Sequence, residues 1–198
     1  MATWSSLVLQ GELVRLEPLA AWHEDGLWEA SRDPRMWRWL SIEQPQTPAE
    51  FHSYVEEALA AAATESELPF ATIRQSDNRI VGSSRFLALR PEHRSLEIGW
   101  TWIEPSMWGT GANVEAKLLM LGDAFERLGC RRVELKTDAL NERSRAALTA
   151  LPAQFEGVHR RHMLVRGGEN RDSAWYSVIA EEWPDVRANL LRRLGRPV

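Results

Sequence analysis

A strand that runs straight into a glycine turn, with a long amphipathic helix straight after it, is the arrangement in this chain that leaves the fewest folds open. The turn is Trp108-Gly109-Thr110-Gly111-Ala112-Asn113. Before it, residues 96–103 alternate as a half-buried strand does, which predicts Leu96, Ile98, Trp100 and Trp102 on one face. Glu97, Gly99, Thr101 and Ile103 then fall on the other. After it, Val114, Leu118, Leu121, Phe125 and Leu128 recur at helical spacing and make one apolar stripe. Glycine permits positive φ in such a turn, and the first amides of the following helix have no acceptor inside it. Unpaired N–H groups at the positive end of a helix dipole make a site for an anion, and the expected anion is a pyrophosphate.

Two nucleotide-binding motifs are excluded. The chain has no G-x-x-x-x-G-K-S/T, and the third glycine of a G-x-G-x-x-G fingerprint falls on Val114. In order, the chain carries Glu97-Ile98-Gly99 with Trp100, then Pro105, Gly109-Thr110-Gly111 and Glu115-Ala116-Lys117. Further on, Asn141-Glu142-Arg143-Ser144 follows a short predicted strand at 132–137 and opens another helix. This series resembles the GNAT superfamily of acyl-CoA-dependent N-acetyltransferases, within it the ribosomal-protein alanine N-acetyltransferase branch, over about residues 7–183. Two positions depart from the family loop: Trp108 stands where Gln or Arg is usual, and Asn113 where Gly or Ala is usual.

The resemblance implies an α+β GNAT fold, with a mixed, mostly antiparallel central sheet of about seven strands flanked by helices. It also implies acetyl-CoA as co-substrate, held by Trp102, Ile103, the loop 108–113 (Trp108, Gly109, Thr110, Gly111, Ala112 and Asn113) and Asn141. Glu97 is the expected base, accepting the ammonium proton through water. The tyrosine acid of many family members is replaced by Leu148, which leaves Ser144 as the expected acid. Trp37 and Trp39, in Met36-Trp37-Arg38-Trp39, lie where the family forms its acceptor lip. Arg143 and Arg145 are candidates for the cofactor phosphates. The partners implied are acetyl-CoA and an amine acceptor, and the family is often dimeric.

The residues point the same way without the family. At 198 residues the chain has length for one domain with a full core. A net charge of −4 with no long basic run gives no sign of a nucleic-acid surface. Cys130 is the only cysteine, which excludes an internal disulfide and a cysteine-based zinc site. No apolar run approaches the about 18 residues of a membrane span, and residues 1–10 lack a signal-peptide pattern, so a cytoplasmic protein without membrane contact is expected. His159 and His162, three apart on a predicted strand, should face opposite sides, which argues against a metal pair. No metal is expected. Most of the ten tryptophans are expected to fill the core.

Coarse patterning gives strands at 7–18, 69–75, 79–90, 96–103, 132–137, 155–165 and 171–180. Helices are predicted at 20–31, 34–40, 47–64, 114–128, after 141 and at 182–194. Thr47-Pro48-Ala49-Glu50 carries a helix start, with a capping threonine, a proline suited to the first turn and a glutamate to complete a capping box. An N-acetyltransferase working by direct transfer is the leading reading. A GNAT-fold acyl-CoA-binding protein with weakened catalysis and a tryptophan-rich protein-interaction module are the alternatives. Thermal stabilisation by acetyl-CoA with turnover, stabilisation alone, and neither would separate the three.

Overall fold

The computed structural model describes residues 4–198. Apolar residues separate onto two sides of one eight-stranded sheet, and each side is covered by helices whose stripes match it. The strands are β1 (Leu9–Gln10), β2 (Val14–Pro18), β3 (Leu68–Arg74), β4 (Ile80–Arg90), β5 (Ser95–Ile103), β6 (Arg132–Asp138), β7 (Gln154–Val165) and β8 (Glu169–Ile179). Their order is β1-β2-β3-β4-β5-β6-β8-β7. All neighbours are antiparallel except β5 and β6. The first predicted strand divides at the turn near Gly11, so β1 is a two-residue edge and the sheet has eight strands.

One face carries α1 (Glu24–Ala30) and α2 (Pro48–Ala63). Thr47 caps α2 as expected, its Oγ1 accepting the Glu50 N–H at 3.2 Å. The Glu50 carboxylate reaches back one residue further than a capping box requires, to the Gln46 N–H at 2.7 Å. Phe51, Tyr54, Val55 and Ala58 form the buried stripe of α2. Phe51 and Tyr54 pack with Trp37 and Trp102, and burying each such side chain is worth roughly 1.5–3 kcal/mol. Every tryptophan except Trp22, which is 78% exposed, is buried or half-buried.

The other face packs α3 (Ala112–Gly122) and α5 (Trp183–Arg193), with Leu148 of α4 (Glu142–Ala150) reaching the same core. A π-helical turn at Asp123–Arg127 continues α3. Glu115, in the first turn of α3, is fully buried. Its carboxylate accepts the main-chain N–H groups of Glu12 at 2.9 Å, Leu13 at 2.7 Å and Val14 at 2.7 Å, and also pairs with Arg196. The helix is thereby bolted to the β1–β2 turn and to the C-terminal segment.

The predicted alternation of β5 fails after Gly99, and the reason is a bulge. Gly99 lies opposite Arg85 and Trp102 opposite Ser83, so two residues, Trp100 and Thr101, face Ser84 alone. Trp100 takes φ +50°, a left-handed backbone that costs a tryptophan about 1–2 kcal/mol. The Arg85 guanidinium, 4.8 Å from its ring centroid, and Tyr54 at 6.2 Å hold it there. Leu96, Ile98 and Ile103 therefore join the α3 core, while Trp100 and Trp102 join the α2 core. Glu97 shares the α2 side with Gly99 and Trp102, rather than opposing the tryptophans.

A second bulge corrects the reading of the two histidines. His159 pairs with Ser173 and Met163 with Arg171, which leaves three residues of β7 opposite one of β8. Both rings thus lie against Trp175, at centroid distances of 4.5 Å and 5.2 Å, on one side of the hairpin. They pack together as aromatics, and the expectation of opposite faces does not hold.

Candidate active site

The site begins where two parallel strands part. β5 and β6 pair only at Ser95–Arg132, Leu96–Val133 and Glu97–Glu134. Beyond Glu97 each strand keeps its outer neighbour and loses the inner one, so a cleft of about 600 Å³ opens through the sheet. Its walls are the bulged half of β5, the inner edge of β6, the starts of α3 and α4, and residues 39–41.

At the α3 end, Gly109 has φ +78° and Gly111 φ +89°, values that suit glycine, and Gly111 is the N-cap of α3. The first α3 turn closes with the Glu115 N–H donating to the Gly111 carbonyl at 2.9 Å. The N–H groups of Gly109, Gly111, Asn113 and Val114 have no main-chain acceptor among the described residues. A Cβ built on Gly109 would meet nothing within 4 Å, whereas one on Gly111 would approach Leu13 and Leu194 at 3.2 Å and 3.3 Å. Gly109 faces the open cleft and Gly111 seats the helix on its neighbours.

Trp108 sits beside this turn. Its indole Nε1 donates to the Ile103 carbonyl at 3.0 Å, and the Arg143 guanidinium lies 3.6 Å from its ring centroid. Arg35 approaches at 5.3 Å. Burial and the Arg35 charge lower the Arg143 pKa, and no carboxylate among the described residues pairs with it. An unneutralised guanidinium stacked on an indole at the cleft mouth is suited to an anionic ligand.

At the strand junction Glu97 is only 2% exposed and its Oε2 lies 2.8 Å from Lys136 Nζ on β6. Burial raises its pKa above the usual carboxylate value, against the opposing pull of Lys136. Gly99 leaves the carboxylate its space, since a Cβ there would lie 2.9 Å from Glu97 Oε1. Asn141 caps α4, its Oδ1 accepting the Ser144 N–H at 3.1 Å, and both residues line the cleft.

Comparison with known proteins identifies the family. Residues 14–154 match the family model described as an acetyltransferase (GNAT) domain. The chain belongs to the GNAT acetyltransferases. A GCN5-related N-acetyltransferase from Brucella melitensis is 32% identical with a TM-score of 0.89, covering 96% of this chain and 86% of that one. YoaA of Bacillus subtilis (strain 168), named as an uncharacterized N-acetyltransferase, is 23% identical over 87% of this chain and 96% of its own. Mycobacterium smegmatis RimJ, solved in complex with CoA-disulfide, shares the fold at 24% identity and a TM-score of 0.79, over 96% of this chain and 92% of its own. This GNAT chain is accordingly an acyltransferase, and no helix among its described residues is long and apolar enough to cross a membrane.

Of the residues singled out from sequence, the GNAT cleft gathers Glu97, Ser144, Trp102, Ile103, Trp108, Gly109, Gly111, Asn113, Asn141 and Trp39 on its walls. Thr110 and Ala112 are not among them: the Thr110 hydroxyl donates to the Met107 carbonyl at 2.8 Å, and Ala112 is fully buried. Trp37 is set apart too, 2% exposed, with its Nε1 donating to the Ser31 carbonyl at 2.7 Å. It packs against Tyr54 and Trp102, behind the cleft wall instead of on it. Arg145 turns to the Ala139 carbonyl at 3.2 Å, away from the glycine turn.

Lys117 entered the sequence reading only as part of Glu115-Ala116-Lys117, and the wall cations Lys136 and Arg171 did not emerge from it as site residues. Lys117 had a signal, since it lies between Val114 and Leu121 on the apolar side of α3. It is 7% exposed, its Nζ donates to Thr101 Oγ1 at 2.9 Å, and burial lowers its pKa to about 7. Lys136 and Arg171 carried none.

Proposed function

We propose that the chain transfers the acetyl group of acetyl-CoA directly to a primary amine. One observation carries this reading: a turn of unpaired amides and a buried carboxylate, Glu97, share one cleft where β5 and β6 part. The open space before Gly109, the free amides of Asn113 and Val114, and the unpaired Arg143 fit a ligand with a pyrophosphate. RimJ, of the same fold, binds a CoA compound. Acetyl-CoA, when bound, supplies the acetyl thioester.

The loop amides and the α3 dipole hold the diphosphate, and Arg143 neutralises it from the other side. The Asn141 amide nitrogen, whose companion oxygen is spent on Ser144, donates to the pantetheine arm. Main-chain groups of Trp102 and Ile103, on the strand that loses its inner neighbour, orient the arm and the thioester carbonyl. Glu97 takes the proton of the incoming ammonium, directly or through one water. The Ser144 hydroxyl supplies a proton to the departing thiolate. Trp39 lines the acceptor end. Cys130 lies away from the cleft walls, and burial with the Asp123 charge pushes its thiol up to about 12, which favours direct transfer over a covalent enzyme intermediate.

A thermal-shift titration with acetyl-CoA, CoA and dephospho-CoA tests this reading, with thiol release measured in the presence of amines. Ligand at about 100 times its Kd stabilises the native state by about 2.7 kcal/mol, a readily measured rise. Gly109→Asp, which places a carboxylate in the cradle, should abolish the rise. No shift at millimolar acetyl-CoA overturns the proposal.

A further inference from the structure

Arg171 of β8 is a buried cation with no close ion-pair partner among the described residues. It is 6% exposed and lines the acceptor end of the cleft with Met163 and Ser41. Its Nε has no hydrogen-bond partner, and its Nη1 has only a long contact of 3.4 Å to Ser41 Oγ. The neighbouring carboxylates are committed elsewhere. Glu97 binds Lys136 at 2.8 Å, and Asp138 accepts the Leu140 N–H at 2.9 Å and faces Arg166 at 3.8 Å. No carboxylate among the described residues forms an ion pair with Arg171.

A guanidinium taken out of water with no carboxylate in contact, and only the more distant charges of Asp138 and Glu97 to offset its burial, is costly, and part of that cost is recovered when an anion arrives. We propose that Arg171 binds a carboxylate carried by the acceptor, so that the molecule acetylated bears both an amine and a carboxylate. This rests on the acetyltransferase reading above. The fork of the guanidinium matches a carboxylate with two parallel hydrogen bonds. Glu97 lines the same cleft as Arg171, so one small molecule can offer its ammonium to the first and its carboxylate to the second.

The acceptor end is also narrowed in a way that suits a small molecule. The tip of the β7–β8 hairpin is latched to residues 40–41: the Arg166 N–H donates to the Ser41 carbonyl at 3.2 Å and its Nη1 to the Leu40 carbonyl at 2.6 Å. Free amino acids are therefore favoured over a peptide with an acidic side chain, the other source of the same group.

The test measures kcat/KM by thiol release from acetyl-CoA. Free α-amino acids, β-alanine and γ-aminobutyrate are each compared with their carboxamides, and the C-terminally amidated peptide Ala-Glu-Ala with Ala-Gln-Ala. The carboxylate form of the accepted amine should exceed its amide by at least about 100-fold, because the amide leaves the cation unpaired. In Arg171→Met that ratio should fall to within a few-fold of one, and Arg171→Lys should restore part of it. Discrimination confined to the peptide pair, and lost in Arg171→Met, supports carboxylate recognition and assigns it to a side chain. Equal rates for acid and amide, or a ratio that survives Arg171→Met, overturn the proposal. Stabilisation by acetyl-CoA with no turnover of any carboxylate-bearing amine also overturns it while leaving the cofactor reading intact; no stabilisation overturns that reading instead.

Discussion

Glu97 Oε2 and Lys136 Nζ meet at 2.8 Å at the point where β5 and β6 cease to pair. The carboxylate is thus buried but charge-balanced, and a water or an amine entering the cleft meets it at the apex. Burial raises the Glu97 pKa above 4.5, so the acid limb of the kcat/KM profile should inflect above that value. Glu97→Gln should lower kcat by about 100-fold or more and remove that inflection. Acetyl-CoA affinity, read by thermal shift, should stay within a few-fold. A variant with the wild-type pH profile takes Glu97 out of the mechanism.

Lys117 predicts a dependence of stability on pH. Its pKa is lowered from 10.5 to about 7 by burial, so between these values the unfolded chain binds more protons at this site than the native one. Stability at this site therefore rises with pH from about 7 to 10.5. Denaturant melts of the wild type and Lys117→Met across that range should show the rise as a difference moving in favour of the wild type, since the raised thiol pKa of Cys130 adds an opposite slope above 9.0 to both. The variant should also be more stable at pH 7, by roughly 1–4 kcal/mol, because an apolar side chain replaces an unpaired buried cation.

The anchoring of α3 through Glu115 should fail in acid. Hydrogen bonds from residues 12–14 and from Arg196 outweigh burial and lower its pKa below 4.5. Its contribution is therefore present above 4.5 and is lost as pH falls through the lowered native value. Glu115→Gln removes the charge but keeps the shape, and should cost about 3 kcal/mol at pH 7 in urea unfolding. The cost should shrink on acidification, since protonation then removes the same charge from the wild type.

Trp108 occupies the place where the GNAT family usually has Gln or Arg, and its indole serves as a platform for Arg143 at 3.6 Å. Removing the platform should loosen a phosphate contact without touching the reacting atoms. Trp108→Ala should raise the KM for acetyl-CoA by about tenfold, with kcat within about threefold, as expected for a cation–π contact of 0.5–2 kcal/mol. An unchanged KM would mean that Arg143 does not meet the phosphates.

The local features of the proposed site are legible in the sequence. The glycine turn at 109–111, the helix after it and the cap at Asn141 are local features, set by which φ values and which unpaired amides a short segment permits. Periodicity places most strands and helices for the same reason, because alternation and the 3.6-residue stripe depend only on near neighbours. It fails at Trp100, where one extra residue shifts the phase, and after His159, where two extra residues break the ladder; nothing in the local pattern announces either.

By itself, then, the sequence of this protein determined a GNAT fold, a glycine turn that opens a helix and a carboxylate on the strand that leads to it. Tertiary structure alone decided which charges stand together. Glu97 met Lys136 because β6 lies beside β5, Trp37 withdrew into the core beneath Trp102, and Arg171 was buried by Ser41, 130 residues earlier in the chain. Burial and pairing of a charged side chain depend on what distant segments place around it, and short-range pattern carries no record of that.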